Sequence, residues 1–519
     1  MEDVWRSGLS ESIRLLSSIE QCRQPKKAAK KTSKTEATIV ASIRQGDALY
    51  ESLEYAGAAA HYSKALHLTA GGGGEKKSDD LELVWKLASC HEKNRDVKAA
   101  IGIIEEISFK QRCQSSKLLS LAAHLYKITS QRRNALTHYR AIIKQTPLAL
   151  EAIEGVLSLG VQSSELIGSV GGRIPAPVLR KYPWLTPWIR AHEQMYMNRF
   201  LAAADLFQIT GDLIPDCSDL LAVHGYVLWQ ADQQQKAKVA FQRACSRDPH
   251  LLKYMDSYAH LLFVKEDRVE LENLAARLLS TSQLYPQPWI ALGYLNCLNA
   301  RYTKALYFAQ KALSLDERNV EGMILKGRAL HSFKKYHDAI KHYKEALRLS
   351  SGYFEAMKGL VMCLLDNQMT RLAEATAQTA VRVLPQSARH LVLLALVYNR
   401  DASRREKMKQ TLKEALRLQP GMAPASLLLS RLYSEEDDHQ KAIALLKTSI
   451  EQSENANLTP LHVALGDLYR KTRQLQEALT SYEFALKCRR DCKKARNGIA
   501  QIQRDRRYDA TTADQDDGW

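Results

Sequence analysis

Two of the nine cysteines lie close enough in the sequence to be considered as metal ligands. Cys488 and Cys492 are one helical turn apart, so a helix would place both thiols on one face. A zinc site needs further ligands, and neither a Cys-x-x-Cys pair nor a neighbouring histidine supplies them. We therefore predict free thiols in a reducing compartment, with no metal site and no disulfide framework.

The sequence also lacks the motifs that bind nucleotides or activate a nucleophile. The glycine run at residues 71–74 is followed by Glu75 and Lys76, not by the Lys-Ser/Thr of a phosphate-binding loop. The 15 histidines are dispersed, with no His-Glu-x-x-His pair and no Gly-x-Ser-x-Gly turn. We expect no catalytic residue and no cofactor, and we predict that the protein is not an enzyme.

The net charge of +17 attracts anions, but the basic residues are spread along the chain. The densest stretches are residues 25–34 and 487–507, near the two ends. The middle of the chain mixes both signs of charge, as solvated helix faces do. We therefore predict a solvated basic surface and no nucleic-acid partner.

The first basic stretch fits a nuclear import tract, because an exposed lysine cluster can lie in an acidic receptor groove. Its lysines are Lys26, Lys27, Lys30, Lys31 and Lys34. The alternative is a solvated linker that no receptor binds. Because charged residues precede the first apolar run and no long apolar stretch could span a bilayer, we expect a nuclear and cytoplasmic protein without a membrane partner.

The elements that would position any site are helices of a repeating unit. Gly225 recurs 102 residues later as Gly327, which is three periods of 34 residues. Ala237 and Ala339 show the same offset. A period of 34 residues is the length of the tetratricopeptide repeat. The sequence therefore predicts an all-α fold, a right-handed tetratricopeptide-repeat superhelix (α-solenoid) of about thirteen helix pairs.

Small residues at the eighth and twentieth places of the unit are predicted to pack the two helices of each pair. A larger side chain at a close helix crossing would force the axes apart and leave voids. An aromatic residue at the twenty-fourth place would fill the wedge beside them. The predicted packing residues are Gly46, Ala58, Gly225, Ala237, Phe241, Gly293, Ala305, Gly327, Ala339, Gly466 and Ala478.

The same phase divides the chain into segments. We predict loops at residues 24–35 and 70–80, the second around the glycine run. The predicted segments are an N-terminal helix and basic linker (1–38), N-terminal repeats that form a dimerisation arm (39–167), an irregular joint (168–187), a regular repeat array (184–492), a capping helix (493–507) and a short acidic disordered tail (508–519).

The concave surface of such an array is the candidate binding site. In this architecture the first helix of each unit lines it with its second, fifth, ninth and twelfth residues. Across three adjacent units these places hold Tyr226, Trp229, His260, Phe263 and Tyr294. Exposed aromatic side chains in a groove favour an apolar or extended segment of a partner protein. The alternative is that Trp229 and Phe263 belong to the core.

Several segments are not required by the repeat and discriminate among repeat proteins. They are Gly8-Leu9 with residues 14–18, residues 145–153 with Gly155, residues 248–256 before Tyr258, and Pro288-Trp289 with Arg301-Tyr302 and residues 305–307. In these segments the chain resembles the subunit 7 family of the anaphase-promoting complex (cyclosome), the ubiquitin ligase that drives exit from mitosis. Residues 25–34 and 71–74 depart from the family pattern.

The resemblance implies a cell-cycle and ubiquitin-pathway protein that supports mitotic ubiquitination without catalysing it. It implies a scaffold subunit that forms a homodimer through its N-terminal repeats and docks on subunit 3 and other repeat subunits. The alternative is a generic tetratricopeptide adaptor in another multiprotein assembly. A chaperone-docking clamp is disfavoured because the units carry no asparagine at their sixth or ninth places.

Overall fold

The computed structural model describes residues 31–70, 78–167, 174–384, 387–452, 458–489 and 492–516. Over these ranges the chain forms 29 α-helices, one 3₁₀-helix and no β-strand. The predicted all-α fold is therefore confirmed. The helices belong to two compact units, Met1–Leu213 and Ile214–Trp519, which are described separately below.

The first unit contains helix pairs interrupted by short helices. Its elements are α1 (Lys31–Glu51), α2 (Tyr55–Ala70), α3 (Ser78–Lys93), α4 (Val97–Glu105), α5 (Phe109–Arg112), α6 (Ser116–Ile128), α7 (Arg132–Gln145), α8 (Leu150–Ser158), α9 (Ser163–Ile167), α10 (Ala176–Lys181), α11 (Leu185–Tyr196) and α12 (Phe200–Leu213). Successive helices pack side by side, as α1 does on α2 and α6 on α7.

The second unit is a more regular series of pairs. Its elements are α13 (Ser218–Gln230), α14 (Gln234–Arg247), α15 (Met255–Val264), α16 (Arg268–Thr281), α17 (Pro286–Leu298), α18 (Tyr302–Leu315), α19 (Val320–Ser332), α20 (Tyr336–Leu349), α21 (Phe354–Asp366), α22 (Thr370–Val383), α23 (Ala388–Tyr398), the 3₁₀-helix Ala402–Arg404, α24 (Arg405–Leu418), α25 (Ala423–Glu435), α26 (His439–Gln452), α27 (Thr459–Lys471), α28 (Leu475–Cys488) and α29 (Lys493–Asp516).

The repeat period predicts unit starts at Ser218, Leu252, Pro286, Val320 and Phe354. Four of them coincide with the first residues of α13, α17, α19 and α21. The start predicted at Leu252 is three residues early. Helix α15 begins at Met255, after Tyr254 adopts a left-handed backbone with φ of 61°. A residue with positive φ cannot continue a right-handed helix, so the helix starts behind it.

All the predicted packing residues are buried, and the eighth place faces the aromatic ring at the twenty-fourth. A β-carbon on Gly46 would lie 2.6 Å from the ring of Tyr62, and one on Gly327 would lie 2.9 Å from the ring of Tyr343. Gly293 instead faces Leu325 of the next pair, because its own twenty-fourth place holds Ala309. The small residue therefore makes room for a ring or for a neighbouring leucine.

The ends of the chain differ from the sequence expectation. Helix α1 begins at Lys31, inside the predicted basic linker and loop, and it includes Lys34. No proline interrupts residues 31–51, so the helix can extend through the lysines. The predicted N-terminal helix, together with Lys26, Lys27 and Lys30, lies outside the described residues.

The predicted disordered tail is wrong for residues 508–516, because α29 continues to Asp516. No proline or glycine stands between Ile499 and Asp517 to end this helix. Its first turns pack on the preceding helix α28, and Ala495 and Ile502 are fully buried there. This end of α29 covers the last apolar face of the array, as a cap must.

The predicted joint does not divide the two units, whose boundary follows Leu213. Residues 168–173 lie outside the described ranges, but contacts bridge the rest of the joint. The backbone N–H and the hydroxyl of Ser163 donate hydrogen bonds to the carboxylate of Glu193 over 2.9 and 2.7 Å. The N–H of Ile174 donates to the carbonyl of Leu166. These bonds attach helix α11 to the repeats before it.

Within the described residues, no helix combines the length and the apolar character that a membrane span requires.

Candidate partner-binding surface

The five candidate groove residues lie together in the second unit, but three of them are not exposed. Trp229 is 1% exposed, His260 and Tyr294 are 0% exposed, and Tyr226 and Phe263 are half-buried. The expectation that all five line an open groove is therefore wrong for Trp229, His260 and Tyr294. Whether Tyr226 and Phe263 contact a partner stays a prediction.

Ring contacts join these residues into one cluster. The imidazole of His260 stacks on Tyr294 with ring centroids 4.7 Å apart, and it lies 5.7 Å from Trp229. Phe263 lies 5.3 Å from Tyr294. Tyr226 stacks instead on Tyr254 at 4.8 Å. The rings thus fill the space between the first helices of neighbouring pairs, where they are shielded from water.

A buried carboxylate, Glu321 on α19, holds the cluster together. Its Oε2 lies 2.8 Å from Nδ1 of His260 and accepts a 2.8 Å hydrogen bond from the hydroxyl of Tyr294. Its other oxygen accepts a hydrogen bond from the hydroxyl of Tyr353. Burial, followed by the charge of Glu321, raises the pKa of both tyrosines well above the ordinary value. Both phenols therefore remain protonated donors at neutral pH.

A second carboxylate, Glu355 on α21, is also buried and has three basic side chains around it. Its Oε2 lies 3.6 Å from the ammonium of Lys358, 3.8 Å from Nη2 of Arg328 and 3.9 Å from Nε2 of His260. Burial opposes ionisation of Glu355, but these three groups hold the pKa of its carboxyl below the ordinary value. The guanidinium of Arg328 also stacks over the ring of Phe263, 4.6 Å from its centroid.

Asp256 on α15 is a carboxyl group of this region whose pKa is raised. Burial, with the nearby charge of Glu321, raises the pKa of Asp256 to about 6. Its oxygens accept hydrogen bonds from the side-chain amide of Asn319 over 3.1 Å and from the N–H of Ser257 over 2.9 Å. These bonds favour the ionised form but do not outweigh burial.

Arg389 on α23 links the last helix of this series to the first. Its guanidinium donates a hydrogen bond to the carbonyl of Gln230 and lies 3.5 Å from the carboxylate of Asp232. It also stacks over the ring of Phe354 at 4.5 Å. The first helices of six consecutive pairs, α13 to α23, thus contribute to one continuous set of contacts. These contacts explain why Trp229 is buried and not exposed in a groove.

We call this set the inner network, and its members are Trp229, Asp256, His260, Phe263, Tyr294, Glu321, Arg328, Tyr353, Glu355 and Arg389. Its charged members were missed in the sequence. The repeat pattern could have identified three of them, because Glu321 and Glu355 occupy the second place of their units and Arg328 occupies the ninth. The ninth place also selected Tyr226, His260 and Tyr294 in the three preceding units, and the second place belongs to the same predicted lining.

The first unit contains a separate pocket of about 280 Å³ between α1, α2 and α3. Its lining residues are Asp47, Tyr50, Glu51, Tyr62, Trp85, Lys86 and Ser89. The carboxylate of Asp47 accepts hydrogen bonds from the hydroxyl of Tyr62 over 2.5 Å and from the ammonium of Lys86 over 2.7 Å. This pocket lies in the predicted dimerisation arm, and no sequence pattern singles out its residues.

The described residues show no candidate metal centre. Within the described ranges, no three His, Cys, Asp or Glu side chains come together as a metal site would require. Cys488 is exposed and Cys492 is half-buried, and both thiols are free.

Comparison with known proteins supports the repeat architecture and identifies proteins to which this chain is similar. Models of the tetratricopeptide repeat match residues 43–108 and 330–397. The chain is 29% identical to human anaphase-promoting complex subunit 7, over 99% of this chain and 93% of that protein. It is 28% identical to the Arabidopsis thaliana subunit 7, over 89% of this chain and 86% of that protein. The resemblance to subunit 7 seen in the sequence is confirmed.

Solved structures show the same fold. The crystal structure of a Cut9–Hcn1 hetero-tetramer from the anaphase-promoting complex matches with a TM-score of 0.55, covering 96% of this chain and 95% of that chain. The sequence identity is 16%, so this match shows the fold alone. Together with the repeat models, it confirms the tetratricopeptide-repeat fold.

Proposed function

We propose that this protein is a non-catalytic scaffold subunit of the anaphase-promoting complex, the E3 ubiquitin ligase, and that it supports mitotic ubiquitination by binding neighbouring repeat subunits. The observation that carries the proposal is the similarity to subunit 7 along 99% of the chain. Such a match includes segments outside the repeat consensus, so a shared repeat length alone does not account for it.

The arrangement of the second unit supports a scaffold role. Six consecutive helix pairs are joined by the inner network, which fixes their relative positions through buried hydrogen bonds and ion pairs. The hydrogen bonds that Glu321 accepts from Tyr294 and Tyr353, and the one that Arg389 donates to the carbonyl of Gln230, restrict the movement of these helices relative to one another. A rigid array can hold partner subunits at a constant distance, which is the task of a scaffold.

We further propose that the partners are a second copy of this chain, bound through the N-terminal repeats, and subunit 3 together with other repeat subunits. The pocket around Asp47 and Trp85 gives the arm a concave surface with aromatic and charged groups, which suits protein binding. Light scattering on the purified chain tests the first partner. A mass twice that of the chain is expected, and a monomer at micromolar concentration would contradict homodimerisation through the arm.

We also propose that the protein is present in nucleus and cytoplasm and that the N-terminal lysines direct import. Replacing all five by alanine should reduce the nuclear fraction of a fluorescent fusion. The tested residues are Lys26, Lys27, Lys30, Lys31 and Lys34. The matched control replaces Lys493 and Lys494, which lie in the other basic stretch. An unchanged nuclear fraction in the five-lysine variant would contradict the import role.

Affinity purification from dividing cells, followed by mass spectrometry, tests the proposed function. The full-length tagged chain should recover subunit 3 and the other ligase subunits in constant proportion. Recovery of a different stable assembly without any ligase subunit would contradict the proposal and favour the generic adaptor instead.

A further inference from the structure

A group of aromatic rings lies at the surface of the third helix pair of the second unit, outside the inner network. Tyr307 is exposed, and Trp289 and Phe308 are half-buried. Trp289 on α17 stacks on Phe308 of α18 with centroids 6.1 Å apart, and Tyr307 lies 5.5 Å from Phe308. The ammonium of Lys311 lies 5.7 Å from the centroid of Trp289. We call these four residues and Lys304 the aromatic patch.

The patch contributes little to the core of its own helix pair. Helix α18 packs through Ala305, Ala309 and Ala312, which are all fully buried. Tyr307 projects from another face of the same helix and is 60% exposed. A solvent-exposed tyrosine beside a tryptophan and a phenylalanine is uncommon on a free surface and is typical of protein interaction sites.

The segment before α17 extends the apolar surface. The indole N–H of Trp289 donates a 3.0 Å hydrogen bond to the carbonyl of Gln283, which fixes that segment beside the ring. The next two residues, Leu284 and Tyr285, are 65% and 53% exposed. The patch therefore includes both a helix face and the turn that leads into the pair.

The charge of the patch is of one sign. Helix α18 contains Lys304 and Lys311 and no acidic residue. The two lysines lie three residues before and four residues after Tyr307, so all three share one face of the helix. Among the described residues neither lysine forms an ion pair. On the neighbouring helix α16, the carboxylate of Glu272 is already paired with Arg268, whose Nε lies 2.9 Å from Oε1 of Glu272. The lysines are thus available to an acidic partner.

We propose that the aromatic patch binds an acidic segment of a partner protein that carries an aromatic or aliphatic side chain. The apolar side chain packs on Tyr307 and Trp289, and carboxylates on either side of it pair with Lys304 and Lys311. The rings supply most of the buried area at little cost in conformational entropy, and the lysines supply the preference for acidic sequence. This proposal does not depend on membership in the ligase.

Single-stranded nucleic acid is the other polymer that stacks on aromatic rings next to lysines. Proteins that bind it track several phosphates with a basic groove. The patch offers two lysines on one helix, which suits a short acidic peptide better than a polynucleotide backbone.

Selection of displayed random dodecapeptides on the purified full-length chain tests the proposal. The test variant is Tyr307→Ser with Lys311→Glu. The matched control is Phe484→Ser with Lys487→Glu, because Phe484 is 51% exposed and has the ammonium of Lys487 4.9 Å from its ring. Helix α28, which carries the control pair, also holds Glu477 and Glu483, so its charge is mixed.

Peptides selected by the wild-type chain should be rich in Asp and Glu and contain an aromatic residue or leucine. Their affinity should fall at least about tenfold in the test variant and not in the control. The single change Lys304→Glu should also weaken binding. Selected peptides without acidic residues, or equal binding by the test variant, would overturn the proposal. So would failure to enrich any peptide, or tight binding of a poly-dT oligonucleotide at physiological salt that the test variant loses.

Discussion

Two groups of aromatic residues in the second unit have opposite surroundings. In the inner network, Tyr294 is fully buried and donates its hydroxyl proton to the carboxylate of Glu321. In the aromatic patch, Tyr307 is 60% exposed and has lysines on either side of it along its helix. Both tyrosines stand in the same helix pair, α17 and α18. The same residue type therefore stabilises the array at one position and is available for binding at the other.

This difference indicates that the charge of the surrounding side chains determines the role of a ring in this array. Acidic side chains from later pairs reach the inner rings, and Glu321 accepts the hydrogen bond of Tyr294 and closes the space around it. Only cationic side chains accompany the outer rings, and those cations lack carboxylate partners among the described residues. Changes to the inner group should therefore alter stability, and changes to the outer group should alter binding.

The largest effect is expected from Glu321→Ala. It leaves His260 and the hydroxyls of Tyr294 and Tyr353 without their acceptor in a buried site. Removing one member of a buried charged network costs about 3–5 kcal/mol. Urea unfolding followed by circular dichroism should show a loss of this size in the free energy of unfolding.

The control for Glu321 is Glu345→Ala, because Glu345 pairs with Arg348 at 2.6 Å on the exposed surface of α20. Exposed ion pairs contribute about 0–1 kcal/mol. Equal losses in the two variants would show that the inner network does not stabilise the array.

A smaller effect is expected from Gly327→Ala, which places a methyl group against the ring of Tyr343. Overpacking of a buried site costs about 1–3 kcal/mol. The matched change at the surface is Gly102→Ala in α4, where a β-carbon meets no atom within 4 Å. Alanine in an open helical site stabilises by about 0.5–1 kcal/mol. Thermal unfolding of the two variants should shift in opposite directions, and a shift in the same direction would contradict the packing described here.

A pH dependence also distinguishes the inner group from the outer one. The pKa of Asp256 is raised in the folded chain to about 6, so the folded state binds the proton more tightly than the unfolded state. The contribution of Asp256 to stability is therefore fully present below its unfolded pKa and is lost as pH rises to about 6. Relative to Asp256→Asn, the wild type should lose stability over that range and then remain level. Urea midpoints at successive pH values measure this difference, and a constant difference would contradict the raised pKa.

Much of the fold follows from the sequence, because the repeat period depends on contacts within a pair and between neighbours. Gly327 and Tyr343 stand in one pair, so their spacing is visible in a single unit. The start of α15 could not be read in this way, since it depends on the backbone of Tyr254 and not on the repeat.

The candidate site was less predictable, because its decisive contacts join residues far apart in the chain. Glu321 reaches His260 across 61 positions, and Arg389 reaches Gln230 across 159. A pattern that assigns Trp229 and Tyr294 to a concave face does not reveal which side chains cover that face. Applying the same places to the next two units would have found both carboxylates.

A double-mutant cycle between Tyr294 and Glu321 tests most directly whether the inner network stabilises the array. The variants are Tyr294→Phe, Glu321→Ala and the double variant, each unfolded in urea. Residues that share a buried hydrogen bond are coupled by about 0.5–3 kcal/mol. We expect a coupling free energy in that range between Tyr294 and Glu321. We expect no coupling between Tyr307 and Lys304 when that pair is measured in the same way. Additive losses at Tyr294 and Glu321 would contradict it.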